Sequence, residues 1–324
     1  MAAFQNSTDH LATYMVARDA AGLWQLTTII KATFTWDRDG RLVAVPPLPL
    51  PAGAADPIEG GPQRPRVDII LSGEVRTARP VEQWVAVLAV GSRLRKEVRV
   101  FGERRWIPLA GGDLAPSRAL PATHAAIAWT SSFGGTDADD PTCIERRNPV
   151  GSGIARTARS LEGRSAPRFE APAIPVTSWQ QRPGPAPIGF GAIQAHWEPR
   201  IAFAGTYDER WRETRWPLLP LDFDPVFFNA APVDQQLDDY RAGEMVTLTQ
   251  MTGALEDGFR LPELEVPVTV FTTQDRVDCR ARIDTVVIEP GARRVSVIAR
   301  AGAPLRPTAA GLRRIIVGAP GERA

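Results

Sequence analysis

The chain has 324 residues, 44% of them hydrophobic, and its 38 Lys plus Arg nearly balance 37 Asp plus Glu, for a net charge of +1. A chain of this length buries roughly three quarters of the surface that its unfolded form exposes, so one or two self-sufficient domains are expected. The near-neutral balance without a basic tract argues against nucleic acid as a partner, and no apolar run approaches the roughly 20 residues that cross a bilayer as a helix.

Cys143 and Cys279 stand far apart, with no CxxC or Cys/His spacing, so neither a disulfide framework nor a zinc site is expected. The first residues lack the basic start and the apolar stretch of about 7–15 residues that mark a secretory signal. Together these features point to the cytoplasm.

In chain order, LWQLTTIIKATF (Leu23 to Phe34) is rich in β-branched residues, and WDRDG then offers an Asp-Gly turn before RLVAV; this predicts a hairpin. PPLPLP (Pro46 to Pro51) predicts an extended, proline-stiffened loop. Val67 to Val75, Trp84 to Val90 and Glu97 to Phe101 read as strands of a meander, the last two joined by GSRLRK. From about residue 108 to 187, Gly, Pro and Ser crowd out long regular elements. A loop of that length in a compact protein is expected to be pinned by its own side chains or by a partner.

Glu209 to Arg215 and Ala309 to Arg314 fit short helices, whereas Val266 to Thr272, Val277 to Ile288 and Val295 to Ala299 alternate as antiparallel strands. Val277, Cys279, Ala281 and Ile283 fall on one face, which makes Cys279 core filling. The expected fold is mainly β: antiparallel, sandwich-like sheets with a long ordered loop-rich middle and short helices. The divisions are a meander over 1–107, an aromatic-rich middle over 108–240 and a C-terminal sheet region over 241–324, the outer two able to pack as one domain.

Catalytic chemistry finds little footing. The three histidines are His10, in an end expected to fray, His124, among alanines where a packed role is expected, and His196, beside Trp197. None accompanies a GxSxG, HExxH or Cys/His pattern. Asp137, Asp139 and Asp140, and Asp222 with Asp224, border prolines and lack the spacing of a calcium loop; capping of turns is the expected role. No enzyme, cofactor or metal is expected.

The informative stretch is His196 to Gln236, which holds Trp197, Phe203, Tyr207, Trp211, Trp216, Phe223, Phe227 and Phe228 among Asp, Arg and Pro. Such residues are typical anchors of protein interfaces, and Trp197, Arg200, Tyr207, Asp208, Trp211, Arg215, Trp216, Asp222 and Phe227 are the expected contacts with a protein partner. One alternative is a carbohydrate-binding β-sandwich whose tryptophans stack on sugar faces; another is that the aromatics are the core of an irregular subdomain, burial being the expectation for any single one of them. A second group is expected to hold the loops: Phe133, Gly134, Gly135, Arg147, Asn148, Gly151, Asn229, Asp234, Gln235 and Gln236. There Asn229 and Asp234 would bond backbone amides at turns, and the glutamines would satisfy loop carbonyls.

FGGTD (Phe133 to Asp137), ERRNPVGSG (Glu145 to Gly153), GFGAIQAHWEPR (Gly189 to Arg200), AGTYDERW (Ala204 to Trp211) and RWPLLPLDFDPVFFNAAPVDQQ (Arg215 to Gln236) occur in this order. The series, with the KATF strand before it, resembles the domain-of-unknown-function family 2169, and the likeness covers most of the chain. WTSS (Trp129 to Ser132) departs from the aromatic-acid-basic series usual before FGG. The resemblance implies a non-enzymatic bacterial adaptor or chaperone of type VI secretion, one that binds a toxic effector in the cytoplasm and helps place it on a PAAR/VgrG spike.

Overall fold

A strand of 13 residues, Trp24–Trp36, organises the molecule. The computed structural model describes residues 2–46, 60–181, 184–306 and 308–319; the proline-rich run expected to form an extended loop lies mostly outside them. The β-branched content of this strand suits a pleated, half-buried surface, and its alternation places Leu26, Ile30, Ala32 and Trp36 on one buried face.

Among the described residues, Trp24–Trp36 lies inside a seven-stranded sheet whose order is Gln236–Leu237, Val67–Leu71, Arg282–Glu289, Arg294–Pro304, Trp24–Trp36, Leu11–Arg18, with Leu42–Ala44 pairing the far end of the long strand. Pairing is antiparallel except between Val67–Leu71 and Arg282–Glu289. A five-stranded antiparallel sheet runs Phe169–Glu170, Leu94–Phe101, Gln83–Val90, Met245–Thr249, Glu256–Arg260. A four-stranded sheet runs Ala3–Asn6, Leu312–Val317, Pro267–Thr272, Arg276–Arg280.

The buried face of the long strand serves two cores. Ala32 and Trp36 pack with Leu88, Val98, Val246 and Phe259 of the five-stranded sheet. Leu26 and Ile30 pack with Val268, Val270, Ile315 and Val317 of the four-stranded sheet. The neighbouring Arg294–Pro304 divides likewise, Val295 and Val297 facing the first core and Ala301 and Ala303 the second. Each fully buried large aliphatic side chain contributes roughly 1.5–3 kcal/mol. Asp257 joins the first two sheets by a polar route: its carboxylate accepts from Trp36 Nε1 at 2.9 Å, Arg293 Nε at 2.8 Å and Thr252 Oγ1 at 2.7 Å.

The protein is therefore mainly β, and the N- and C-terminal thirds share sheets. Several boundaries differ from expectation. The run Val67 to Val75 is two strands, because Gly73 adopts φ +81° and breaks the pleat. Val277 to Ile288 is likewise split, at Ala281, and its halves join different sheets. Cys279 is half-buried against the second core. Ala309 to Arg314 is not a helix: one 3₁₀ turn, Ala309–Gly311, leads into strand Leu312–Val317, where tertiary pairing overrides local propensity. The segment around His10 is not a frayed end, since Ala3–Asn6 and Leu11–Arg18 on either side of it are strands in two different sheets.

The middle region forms its own small core of Trp106, Leu114, Phe133, Leu161, Ala166 and Val176. Beyond it, Ala192, Ala230 and Ala231 close over Ile70 on the outer face of the seven-stranded sheet.

Candidate functional site

The loops that carry the ordered motifs are fastened by buried side-chain amides. Asn148, fully buried, donates its Nδ2 to the carbonyls of Trp129 and Phe133, each at 2.9 Å, while its main-chain carbonyl accepts from Gly135 N at 2.8 Å. Chain crosses chain here so closely that a Cβ on Gly134 would stand 2.3 Å from the Asn148 carbonyl oxygen; Gly134 itself sits at φ +143°. Gly151 packs against the same amide, Phe133 enters the middle core, and Arg147 forms a bidentate pair with Glu145 at 2.8 and 2.7 Å.

NAAPVDQQ is tied to the sheet. Gln235 Nε2 donates to Ile69 O at 2.7 Å and Phe190 O at 3.0 Å, so one amide joins this motif, GFGAIQ and strand Val67–Leu71. Asn229 Nδ2 donates to Arg66 O at 3.0 Å and to Asp68 Oδ1 at 2.9 Å; Ala230 N adds a bond to Asp68 Oδ2 at 2.7 Å. Gln236 Nε2 donates to Ala231 O at 2.8 Å. Asp68 is also paired with Arg64, and Asp284 with Arg300, all four being buried. Burial pushes Arg300 down to about 10, against the attraction of Asp284. Buried charge of this kind is costly unless paired and bonded, and this network meets that condition.

Asp234 departs from its expected role. Instead of bonding turn amides, it takes the ammonium of Lys96 at 2.9 Å. Lys96 projects from Leu94–Phe101 on the same face as Leu94, Val98 and Val100, is 5% exposed, and lies 5.8 Å from the centre of the Phe190 ring. Burial pushes its ammonium below the usual lysine range, opposed by Asp234. This pair lines a groove of about 260 Å³ together with Trp129, Ile188, Pro199, Val233, Arg147 and Glu198. WTSS, ERRNPVGSG, GFGAIQAHWEPR and NAAPVDQQ each lend a residue to it. Lys96 is the residue that sequence reasoning missed.

The expected partner contacts divide by burial. Trp197 is buried, its Nε1 bonded to His196 Nε2 at 2.9 Å, and Arg200 is buried, donating to Ile193 O at 2.6 Å and to Phe227 O at 3.0 and 2.9 Å. Burial and the nearby Arg64 lower Arg200 to about 10, with Asp68 opposing. These two are framework residues, not surface contacts.

Asp208 and Asp222 are likewise spent within the chain. Asp208 caps helix Glu209–Thr214 through Trp211 N, and Asp222 accepts from Thr206 N and Oγ1. Arg215 Nη2 holds the carbonyls of Ala20 and Leu219, Trp211 Nε1 holds Leu218 O, and Phe227 is half-buried against Phe223 and Phe228.

What remains outward is an arm over residues 201–221, where Tyr207 is 52%, Trp216 68% and Leu221 82% exposed. Arg215 and Leu218, the latter against Gly22, seat the arm beside the turn at residues 19–23.

His124, expected to be packed, is exposed on Ala122–Ala126, and His196 is also exposed. Asp137 accepts from the backbone of Asp139, Asp140 and Arg156, and Asp224 caps a 3₁₀ turn. No cluster of three His, Cys, Asp or Glu able to hold a metal occurs among the described residues, nor does any helix there reach the length and apolarity needed to cross a membrane.

No curated protein and no solved structure matches the chain. A family model does match, over residues 21–300, a span holding the long strand, the motif loops, the groove and the arm. Its description is "Uncharacterized protein conserved in bacteria (DUF2169)", and the chain belongs to that family.

Proposed function

We propose that this chain is a non-enzymatic adaptor that grips a type VI secretion effector in the cytoplasm and helps load it onto the PAAR/VgrG spike. The observation that carries the reading is the arm: a capped helix and its flanking loops hold Tyr207, Trp216 and Leu221 outward on a framework whose other aromatics are buried or half-buried. Exposed aromatics at fixed positions are the side chains that dominate binding energy at protein interfaces. The groove lined by Lys96 and Asp234, mainly apolar, supports recognition of an extended segment of the same client.

The test is co-purification with the effector and PAAR-type protein encoded beside the gene, together with secretion in a deletion strain. The reading expects a stable complex and loss of secretion without the adaptor. A client that remains soluble and is secreted in the deletion strain refutes it.

The carbohydrate alternative requires Trp211 and Trp216 as stacking platforms. Trp211 is half-buried with Tyr207 edge-on at 4.7 Å, which leaves Trp216 as the open ring of the pair. Glycan-induced quenching of tryptophan fluorescence, lost on Trp216→Ala, would favour that alternative.

A further inference from the structure

The loops at residues 103–105, 117–120 and 165–168 line an open polar cavity of about 480 Å³, with Arg104, Arg105, Arg118, Arg168 and Glu103 in its wall. Two of these guanidiniums are positioned by neutral carbonyls. Arg105 donates to Gly163 O at 2.8 Å, and Arg168 donates to Phe101 O and His124 O, each at 3.1 Å. Neither forms an ion pair among the described residues. Their orientation is therefore set without a carboxylate in direct contact. Arg168 is also half-buried, and that burial lowers its affinity for its proton, opposed by Glu103. Arg104 is paired with Glu170 and Arg118 with Glu82, so both of those are largely neutralised.

We propose that this cradle is a binding site for a carboxylate, that of an Asp or Glu side chain on a polypeptide segment. Fixed guanidinium forks suit oxyanions, which they hold by paired, charge-assisted bonds. The local charge selects among oxyanions: four guanidiniums against the carboxylates of Glu82, Glu103 and Glu170 leave one net positive charge, which a single carboxylate neutralises and a phosphate dianion oversteps. The cavity exceeds what a lone small acid fills, and Leu120, 63% exposed at its edge, offers apolar contact to the flanking chain. Nothing in this site depends on the adaptor reading, and the two can fail separately.

The probe is an end-capped Gly-Ser-Leu-Glu-Ser-Gly peptide with an uncharged dye, titrated to millimolar at low salt and followed by anisotropy. Its Gln counterpart, acetate and inorganic phosphate are the comparison arms. The Glu peptide is expected to bind, to be released by added salt, and to weaken by roughly tenfold or more in Arg105→Gln/Arg168→Gln. The exposed Arg105→Gln alone keeps the test valid if the double variant does not fold. Equal binding of the Gln peptide, unchanged binding to the variants, no binding at low salt, or displacement by phosphate but not by acetate would each overturn the proposal.

Discussion

Lys96 Nζ stands 2.9 Å from Asp234 Oδ1, and this one bond joins the face of a central strand to a loop 138 residues further along the chain. The partners are unequally placed, since the side chain of Lys96 is 4% exposed and that of Asp234 59%.

Removing the acid should therefore cost more than removing the base. Asp234→Ala leaves a buried ammonium without its carboxylate and is expected to destabilise by about 1–3 kcal/mol, whereas Lys96→Met fills the same apolar slot and should cost under about 1.5 kcal/mol. Urea denaturation of both variants measures the difference, and the reverse order would show that the pair is not what holds the loop.

Two tryptophans of the informative stretch should separate stability from binding. Trp197→Ala empties a buried site and is expected to cost about 3–5 kcal/mol. Trp216→Ala, at a side chain 68% exposed, should leave the melting temperature within error while weakening client binding by roughly tenfold or more. Thermal unfolding and a pull-down on the same two preparations give both readouts.

Gly134→Ala should be among the harshest small substitutions in the chain. The added carbon meets a backbone carbonyl at a φ of +143°, so the crossing of the two motif loops must open, at about 2–4 kcal/mol. Loss of protection from hydrogen exchange confined to residues 130–155 is the expected signature; unchanged exchange there would show that the crossing relaxes freely.

Acid should loosen the joint between the first two sheets. Burial pushes the Asp257 carboxyl up, but the bonds from Thr252, Arg293 and Trp36 outweigh it and hold the group below the usual range. A carboxyl depressed in the folded state stabilises fully above its unfolded value, about 3.9, and loses that contribution as the pH falls through the folded value. Asp257→Asn should flatten the fall in stability below about pH 4, which urea midpoints at successive pH values will register.

The β class, the first hairpin and the family were legible in the sequence because each rests on local signals: alternation, an Asp-Gly turn, an ordered motif series; the short helix at Glu209 was legible too, but its Asp208 cap was not. The ion pairs were not, because Asp68 meets Asn229 and Lys96 meets Asp234 only after the chain has folded. Two signs were nonetheless present: Asp68 interrupts the apolar run VDIIL, and Lys96 occupies an inward position in LRKEVRV. A charge at a core-facing position signals a distant partner. Trp197 and Arg200 were misplaced at the surface because composition does not distinguish an interface from an irregular core.

The shared strand has a consequence for synthesis. Trp24–Trp36 is synthesised well before its sheet neighbour Arg294–Pro304, which must slot in beside it. Until then the long strand has an open flank, and both cores lack the side chains that Arg294–Pro304 supplies. Such wide sequence separation slows folding, since the long loop between the two strands must close before their contacts form.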